Sequence, residues 1–361
     1  MPGASVFPLS VLDLSPIASG STARHALTNS LDLARRAEPW GYHRYWVAEH
    51  HNMPGIASSA PAVLIGHLAD VTTTMRIGSG GVMLGNHPPL VVAEQFGMLE
   101  ALHPGRIDLG LGRAPGTDGA TAAALRRGVH ALSDDDFPEQ LGQLLAFFDG
   151  SFPDDHPYRS ITAVPGKGFV PALWLLGSSG YSAQVAAMLG LPFAFAHHFM
   201  PQNTEAAMAL YRERFRPSPV LDQPYAIVGA AVVAADTERE ARYLQGSMKL
   251  SMLRLRSGHP GPLPSPDEAA EYSYTPSERS MAEAHTASHI VGDPGQVRAG
   301  LEDLVARSGA DEVMITSNLH DHERRLRSYQ LVAEVMGRAP GSRPASGGAD
   351  DAYAPPAQVV A

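Results

Sequence analysis

Short apolar runs rich in Val, Ile and Leu alternate along this chain with stretches patterned as helices, and that alternation leaves few folds open. A β-rich run followed by a helix, repeated, builds a parallel sheet. Eight runs occur, over residues 6–14, 42–48, 76–84, 106–111, 172–176, 192–196, 226–234 and 312–316. Eight repeats suffice to close a sheet on itself, so the expected fold is α/β, a single (β/α)8 TIM barrel. Between the runs, residues 23–37 place Leu27, Leu31 and Ala34 on one helical face, and 58–71 and 88–102 also read as helices, the last opening at a proline. Two stretches break the rhythm. Residues 257–285 are dense in Pro, Gly and Ser and are expected to form an extended loop before strand 8, in the position of a lid. The tail over 338–361 is of low complexity and expected to be disordered, which leaves 1–337 as the barrel domain.

With 44% hydrophobic and 18% charged residues, the chain has the material for a large core. A formal net charge of −10, with scattered arginines, offers no footprint for a phosphate backbone, so nucleic acid is not an expected partner. The absence of cysteine excludes disulfides, thiolate nucleophiles and thiolate metal ligands. Residues 1–9 lack the basic start and long apolar run of a leader, and no segment approaches the roughly 20 apolar residues that span a bilayer. A soluble, cytoplasmic protein without membrane partners is expected.

In such barrels, polar residues just past the C-terminal end of a strand read as functional, and polarity at the opposite end reads as stability. The expected mouth carries Asp13 and Ser15; Glu49, His50, His51 and Asn52; Asn86 and His87; Arg113; Ser178 and Ser179; His197 and His198; Ser317 and Asn318. Strand 5 runs through Gly177-Ser178-Ser179-Gly180-Tyr181-Ser182 into a helical stretch, which gathers backbone N–H groups and hydroxyls where an anion would be held. Arg113 leaves the neighbouring strand and would grip the same anion. A plain N-cap at Ser178 and a rim salt bridge at Arg113 are the structural alternatives. Asp293-Pro294-Gly295, opening a later helix, is a competing anion site.

Two motifs mislead. Gly110-Leu111-Gly112-Arg113-Ala114-Pro115-Gly116 has its third glycine one position late for a dinucleotide fingerprint, and Pro115 interrupts the turn. Tyr181 stands where a nucleophile elbow needs its second glycine. No metal is expected either. Adjacent histidines at a strand end point in different directions, and strand 1 lacks a His-x-His. One mouth histidine acting as acid, base or hydrogen-bond donor is the expected role for these groups, against a purely structural one.

Several blocks, in order, give the chain a likeness: Trp46-Val47-Ala48-Glu49-His50-His51, Gly78-Ser79-Gly80-Gly81-Val82-Met83-Leu84, residues 89–102, Arg106-Ile107-Asp108-Leu109-Gly110-Leu111-Gly112-Arg113, and Gly177-Ser178-Ser179-Gly180. Over residues 5–337 the chain resembles the bacterial luciferase-like flavin monooxygenases. The resemblance implies a (β/α)8 barrel, reduced FMN as cofactor, O2 as co-substrate, and reaction through a flavin C4a-hydroperoxide. It implies that Arg113, Ser178, Ser179, Gly180 and Ser182 surround the flavin phosphate. His50 would be the catalytic histidine beside the ring. Gly80 and Gly81 fall where the family has a non-prolyl cis peptide under the flavin. The second phosphate-binding arginine of the luciferase has no register match, with Arg126 and Arg127 close by.

The implied reaction is that of a two-component monooxygenase fed by a separate NAD(P)H-dependent flavin reductase. Alternatives on the same barrel are a deazaflavin-dependent dehydrogenase and a non-catalytic flavin-binding protein. Ala, Gly and Arg usage resembles that of high-GC actinobacteria, where family members often tailor polyketides in antibiotic biosynthesis. Epoxidation or hydroxylation of an aromatic polyketide is therefore the expected small-molecule chemistry, with a long-chain aldehyde the alternative. The resemblance further implies a homodimer through outer helices over 58–102.

Overall fold

The computed structural model describes residues 7–126 and 136–338, so Arg127 and the expected tail beyond Arg338 lie outside the described residues. Eight parallel strands close into a ring. In ring order they are β1 (Leu9–Asp13), β2 (Arg44–Val47), β3 (Arg76–Met83), β4 (Ile107–Gly112), β5 (Ala172–Gly177), β6 (Phe193–Phe195), β7 (Ala226–Ala234) and β9 (Glu312–Thr316), with β9 pairing back to β1. These are the expected eight runs. A ninth strand, β8 (Ile290–Gly292), stands outside the ring and extends the C-terminal end of β7 through Val232↔Ile290 and Ala234↔Gly292.

Expectation and structure part over 257–285, which is not an extended loop. It folds into α9 (Pro266–Glu271) and α10 (Pro276–Thr286), packed beside α8 (Glu238–Arg256). The prolines and serines there are capping chemistry. Ser265 accepts from the Glu268 N–H ahead of Pro266, and Thr275 forms a capping box with Glu278 ahead of Pro276. In α1 (Ala23–Ala37), the buried face centres on Ala26, Ser30, Leu33 and Ala37, while Leu27 and Leu31 flank it. Among the described residues no helix is long and apolar enough to cross a membrane.

Alternation along each strand sorts side chains into two cores. Leu12, Trp46, Trp174, Ala194, Ile227 and Met314 fill the barrel, with the two indoles edge to face at 5.2 Å. Val11, Tyr45, Leu109, Leu175, Val228 and Val313 face the helix ring.

Beneath the apolar interior lies a buried ionic floor at the N-terminal strand ends. Arg44 Nη1 donates to Asp108 at 3.0 Å and its Nε to Glu312 at 3.2 Å, while Arg76 reaches Asp108 at 2.7 Å. Trp46 Nε1 donates to Asp108 at 2.8 Å, and the hydroxyls of Tyr225 and Ser10 donate to Glu312. Such a cluster is costly to desolvate, and removing one member strands its partners in an apolar interior. Arg44→Met, which leaves Glu312 without its cation, is expected to cost about 3 to 5 kcal/mol in denaturant unfolding. A loss below about 1 kcal/mol would contradict this account of the floor.

Candidate active site

A cavity of about 290 Å3 opens at the C-terminal strand ends, where the sequence places the mouth. Its roof is stitched together from the loop after β1, the loop after β2 and residues 260–263. Ile17 N–H donates to Gly55 at 2.9 Å, and Leu263 pairs with Ile17 and Ser19 through backbone bonds of 2.8 Å. Pro260, Gly261 and Leu263 therefore wall the cavity from the segment expected to be a lid.

At the end of β2, Glu49 is a fully buried carboxylate that ties two strand ends together. Its Oε1 contacts His51 Nε2 at 2.8 Å, His87 Nε2 at 2.9 Å and Asn86 Nδ2 at 3.2 Å, and its Oε2 accepts the Met83 N–H at 3.0 Å. Burial works to raise its pKa, but the bonds from His87, His51 and Met83 outweigh that and hold it below the ordinary carboxylate value. His51, His87 and Asn86, all read as mouth residues, serve this hub. His50 is the member of the pair that lines the cavity, and its buried Nδ1 has no protein partner. Burial lowers its pKa, Glu49 opposes and His51 adds to the depression, so the ring is neutral at pH 7.

Next to it, the Gly80–Gly81 peptide bond is cis, and the β3–β4 register shifts between Gly80 and Val82. Gly80 lines the cavity. A Cβ on Gly80 would meet Leu12 Cδ1 at 2.7 Å, and one on Gly81 would meet the Gly110 carbonyl oxygen at 2.7 Å. The Gly110 carbonyl leaves no room for a side chain at Gly81, and Gly80 presents bare backbone to the cavity.

Where β5 runs into α6 (Gly180–Leu189), Ser179 is the N-cap and makes no side-chain capping bond. The first-turn N–H groups are thus without the hydroxyl partner such a cap supplies. From β4, the neighbour of β5, Arg113 lies with its guanidinium carbon 4.5 Å from the centre of the Tyr181 ring, in the first turn of α6. Arg113, Ser178, Ser179 and Gly180 converge there. Ser182 is buried and turns back toward Gly177, where a Cβ would strike it. The competing site at Asp293 is closed by its own chemistry: Asp293 and Gln296 form a capping box over the start of α11 (Pro294–Ser308).

The remaining wall comes from β6, β7, β9 and α8. His198 Nδ1 lies 3.1 Å from the Gly229 carbonyl, and the missing Cβ at Gly229 makes room for the ring. His198, His289, Thr316 and Asn318 all line the cavity, and His289 Nδ1, Thr316 Oγ1 and Asn318 Oδ1 are buried without a partner. Burial depresses both histidines to about 4. His289 and Thr316 are absent from the mouth expected from sequence; His289 falls between the apparent loop over 257–285 and the three-residue strand β8, where no strand end is expected.

Three mouth assignments are corrected. Leu12 faces inward, so Asp13 faces outward, where it pairs with Arg325 of α12 (His322–Val335) at 2.6 Å and accepts from Tyr45 at 2.6 Å. Ser15, likewise buried, contacts Ser30 of α1 at 2.8 Å. His197 turns to Thr204 at 2.8 Å, away from the cavity wall.

The pH response of the Glu49 hub follows from its sign. Its folded pKa lies below the unfolded one, so its stabilisation is present above about pH 4.5 and is lost as pH falls through the folded value. Glu49→Gln is expected to cost about 1.5 to 3 kcal/mol at pH 7, and the gap to wild type should narrow toward pH 3. A pH-independent difference in unfolding free energy would contradict that role.

Residues 7–312 match the family model described as luciferase-like monooxygenase. An Escherichia coli (strain K12) protein named luciferase-like monooxygenase is 51% identical over 327 residues, covering 90% of this chain and 96% of its own. The crystal structure of apo-MsnO8 superposes with a TM-score of 0.82 at 39% identity, covering 92% of this chain and 99% of that one. The oxygenating constituent of 3,6-diketocamphane monooxygenase from Pseudomonas putida, solved in complex with FMN, shares the fold at 16% identity and a TM-score of 0.67, over 93% of this chain and 98% of its own.

Proposed function

We propose, from the premise that this chain belongs to the luciferase-like monooxygenase family, that this oxidoreductase holds FMN across the barrel mouth and oxygenates an organic substrate with O2. One observation carries the reading: Arg113 converges on the uncapped start of α6, on the same rim as the bare Gly80–Gly81 backbone and His50. A phosphate suits the first point, being an anion at a helix N-terminus beside a guanidinium. A flat ring suits the second, where Gly80 lines the cavity without a side chain.

Bound reduced flavin supplies the electrons that activate dioxygen. In our reading the protein's residues do the rest. Arg113, Ser178, Ser179 and Gly180 hold the phosphate, and Ser182 packs the turn from behind. Gly80 and Gly81 seat the ring. The apolar walls keep water from the reacting atoms. His50, neutral and without a protein partner at Nδ1, holds or moves a proton at the reacting face.

The strand 4 turn has no nicotinamide fingerprint, so we assign reduction of the flavin to a separate NAD(P)H-dependent reductase. An aromatic polyketide skeleton remains our proposed substrate, for epoxidation or hydroxylation. Exposed Val63, Met98 and Leu102, on α2 (Pro61–Asp70) and α3 (Pro89–Leu102), form our proposed homodimer face.

Arg113→Ala should weaken FMN binding by about 1.5 to 3 kcal/mol in a titration, the range for a charge-assisted bond; unchanged affinity would refute the phosphate assignment. His50→Ala should keep FMN affinity yet divert O2 to hydrogen peroxide, and a normal product yield per O2 consumed would refute its role. Supplied with enzymatically reduced FMN in air, the wild-type chain should consume O2 with its substrate. Substrate oxidation with oxidised deazaflavin and no O2 uptake would replace this reading with a dehydrogenase.

A further inference from the structure

We propose that the cavity wall built by β6, β7, β9 and α8 recognises an uncharged, largely apolar substrate through a hydrogen-bond donor docked on Nε2 of His198. The inference deepens the reading above and rests on it for position. If the phosphate sits between β4 and β5 and the ring lies over β3, the wall across the barrel is the one left for substrate.

Charge sets the class. Among the described residues lining the cavity there is no Asp, Glu, Lys or Arg. An ionised substrate would be desolvated there with no charged partner on the lining itself, which costs far more than burying a neutral polar group. His50, His198 and His289 offer no standing charge either, since burial keeps each neutral at pH 7.

Hydrogen-bond direction sets the group. The Gly229 carbonyl can only accept, so the proton of neutral His198 sits on Nδ1. Nε2 then carries a lone pair and can only accept. Asn318 Oδ1, a second acceptor, is buried and unpartnered on the same cavity. Thr316 Oγ1 and His289 Nδ1, also unpartnered, and Ser251 of α8 are the other polar groups of this wall. A substrate that presents a hydroxyl or N–H satisfies His198 Nε2 and Asn318 Oδ1; an ether or hydrocarbon leaves those two acceptors stranded. Apart from His50, Ser251 and His289, the rest of the lining is apolar and includes Met53, Met83, Met248, Met252 and Met314, unbranched side chains that re-pack around different skeletons. Recognition thus resides in the polar wall, with shape tolerance elsewhere.

The test is isothermal titration calorimetry of the full chain at pH 7.5, with and without saturating FMN, using 2-naphthol, 2-methoxynaphthalene and 2-naphthoate as probes. In the wild type, the naphthol should bind about ten-fold tighter than its methyl ether, and the carboxylate at least about a hundred-fold weaker than the naphthol. His198→Phe should bring the naphthol to the level of the ether without changing FMN affinity, and His198→Gln, which returns an acceptor near Nε2, should recover most of the difference. Naphthoate binding within ten-fold of naphthol overturns the proposal. So does a naphthol preference that survives His198→Phe, a loss of FMN affinity in that variant, or binding of none of the three at 1 mM. The charged-against-neutral comparison is made on wild type, so it stands even if His198→Phe does not fold. Failure of the wild type to bind FMN would sink the flavin reading alone, because the probe series without FMN still decides this one.

Discussion

Arg44, held between Asp108 and Glu312 at the bottom of the barrel, is the constraint on which the remainder depends. Its partners come from β4 and β9, Arg76 adds β3, and Ser10 joins the cluster from β1. Ions this deep are tolerated only when every lone pair is matched, so the network fixes how those strands are staggered. Stagger in turn fixes which residues face inward. With Arg44 and Asp108 inside, Trp46 and Gly110 are inside two residues on, and the apolar layer and bare glycine backbone follow. Arg44, Arg76, Asp108 and Glu312 at the floor are paired with one another, whereas at the mouth His50, His289, Thr316 and Asn318 keep unpartnered atoms on one cavity. That asymmetry separates the end that stabilises the barrel from the end that works.

The strands were legible because each buried run is short, apolar and followed by a helix. The Gly180 turn and the position of Arg113 were legible for the same reason, since they are local to strand ends. What escaped was set by side-chain direction and by contacts distant in sequence. Asp13 sits at a strand end, as a mouth residue should, but parity turns it toward Arg325, more than 300 residues away. Residues 257–285 read as loop because Pro and Ser mark both turns and helix starts. Only the pairing of Ser265 with Glu268 and Thr275 with Glu278 distinguishes them. The strand β8 is three residues long, too short for any periodicity. The two histidine pairs looked alike, yet in each a single ring reaches the cavity, a choice made by Glu49 for one and by the Gly229 carbonyl for the other.

The site that results has three sectors with different physical characters. The β4–β5 rim is cationic and rich in N–H donors, the β2–β3 rim pairs a bare backbone with a neutral histidine, and the far wall is neutral and rich in acceptors. A phosphate, a flat ring and an uncharged substrate each match one sector and mismatch the others. The claim that orders all three is the placement of the flavin, and a crystal structure of this chain soaked with FMN tests it directly. The account predicts phosphate density between the Arg113 guanidinium and the first turn of α6, with the ring against Gly80–Gly81 and beside His50. Phosphate density at another helix start, or a ring lying on the β7–β9 wall, would contradict it.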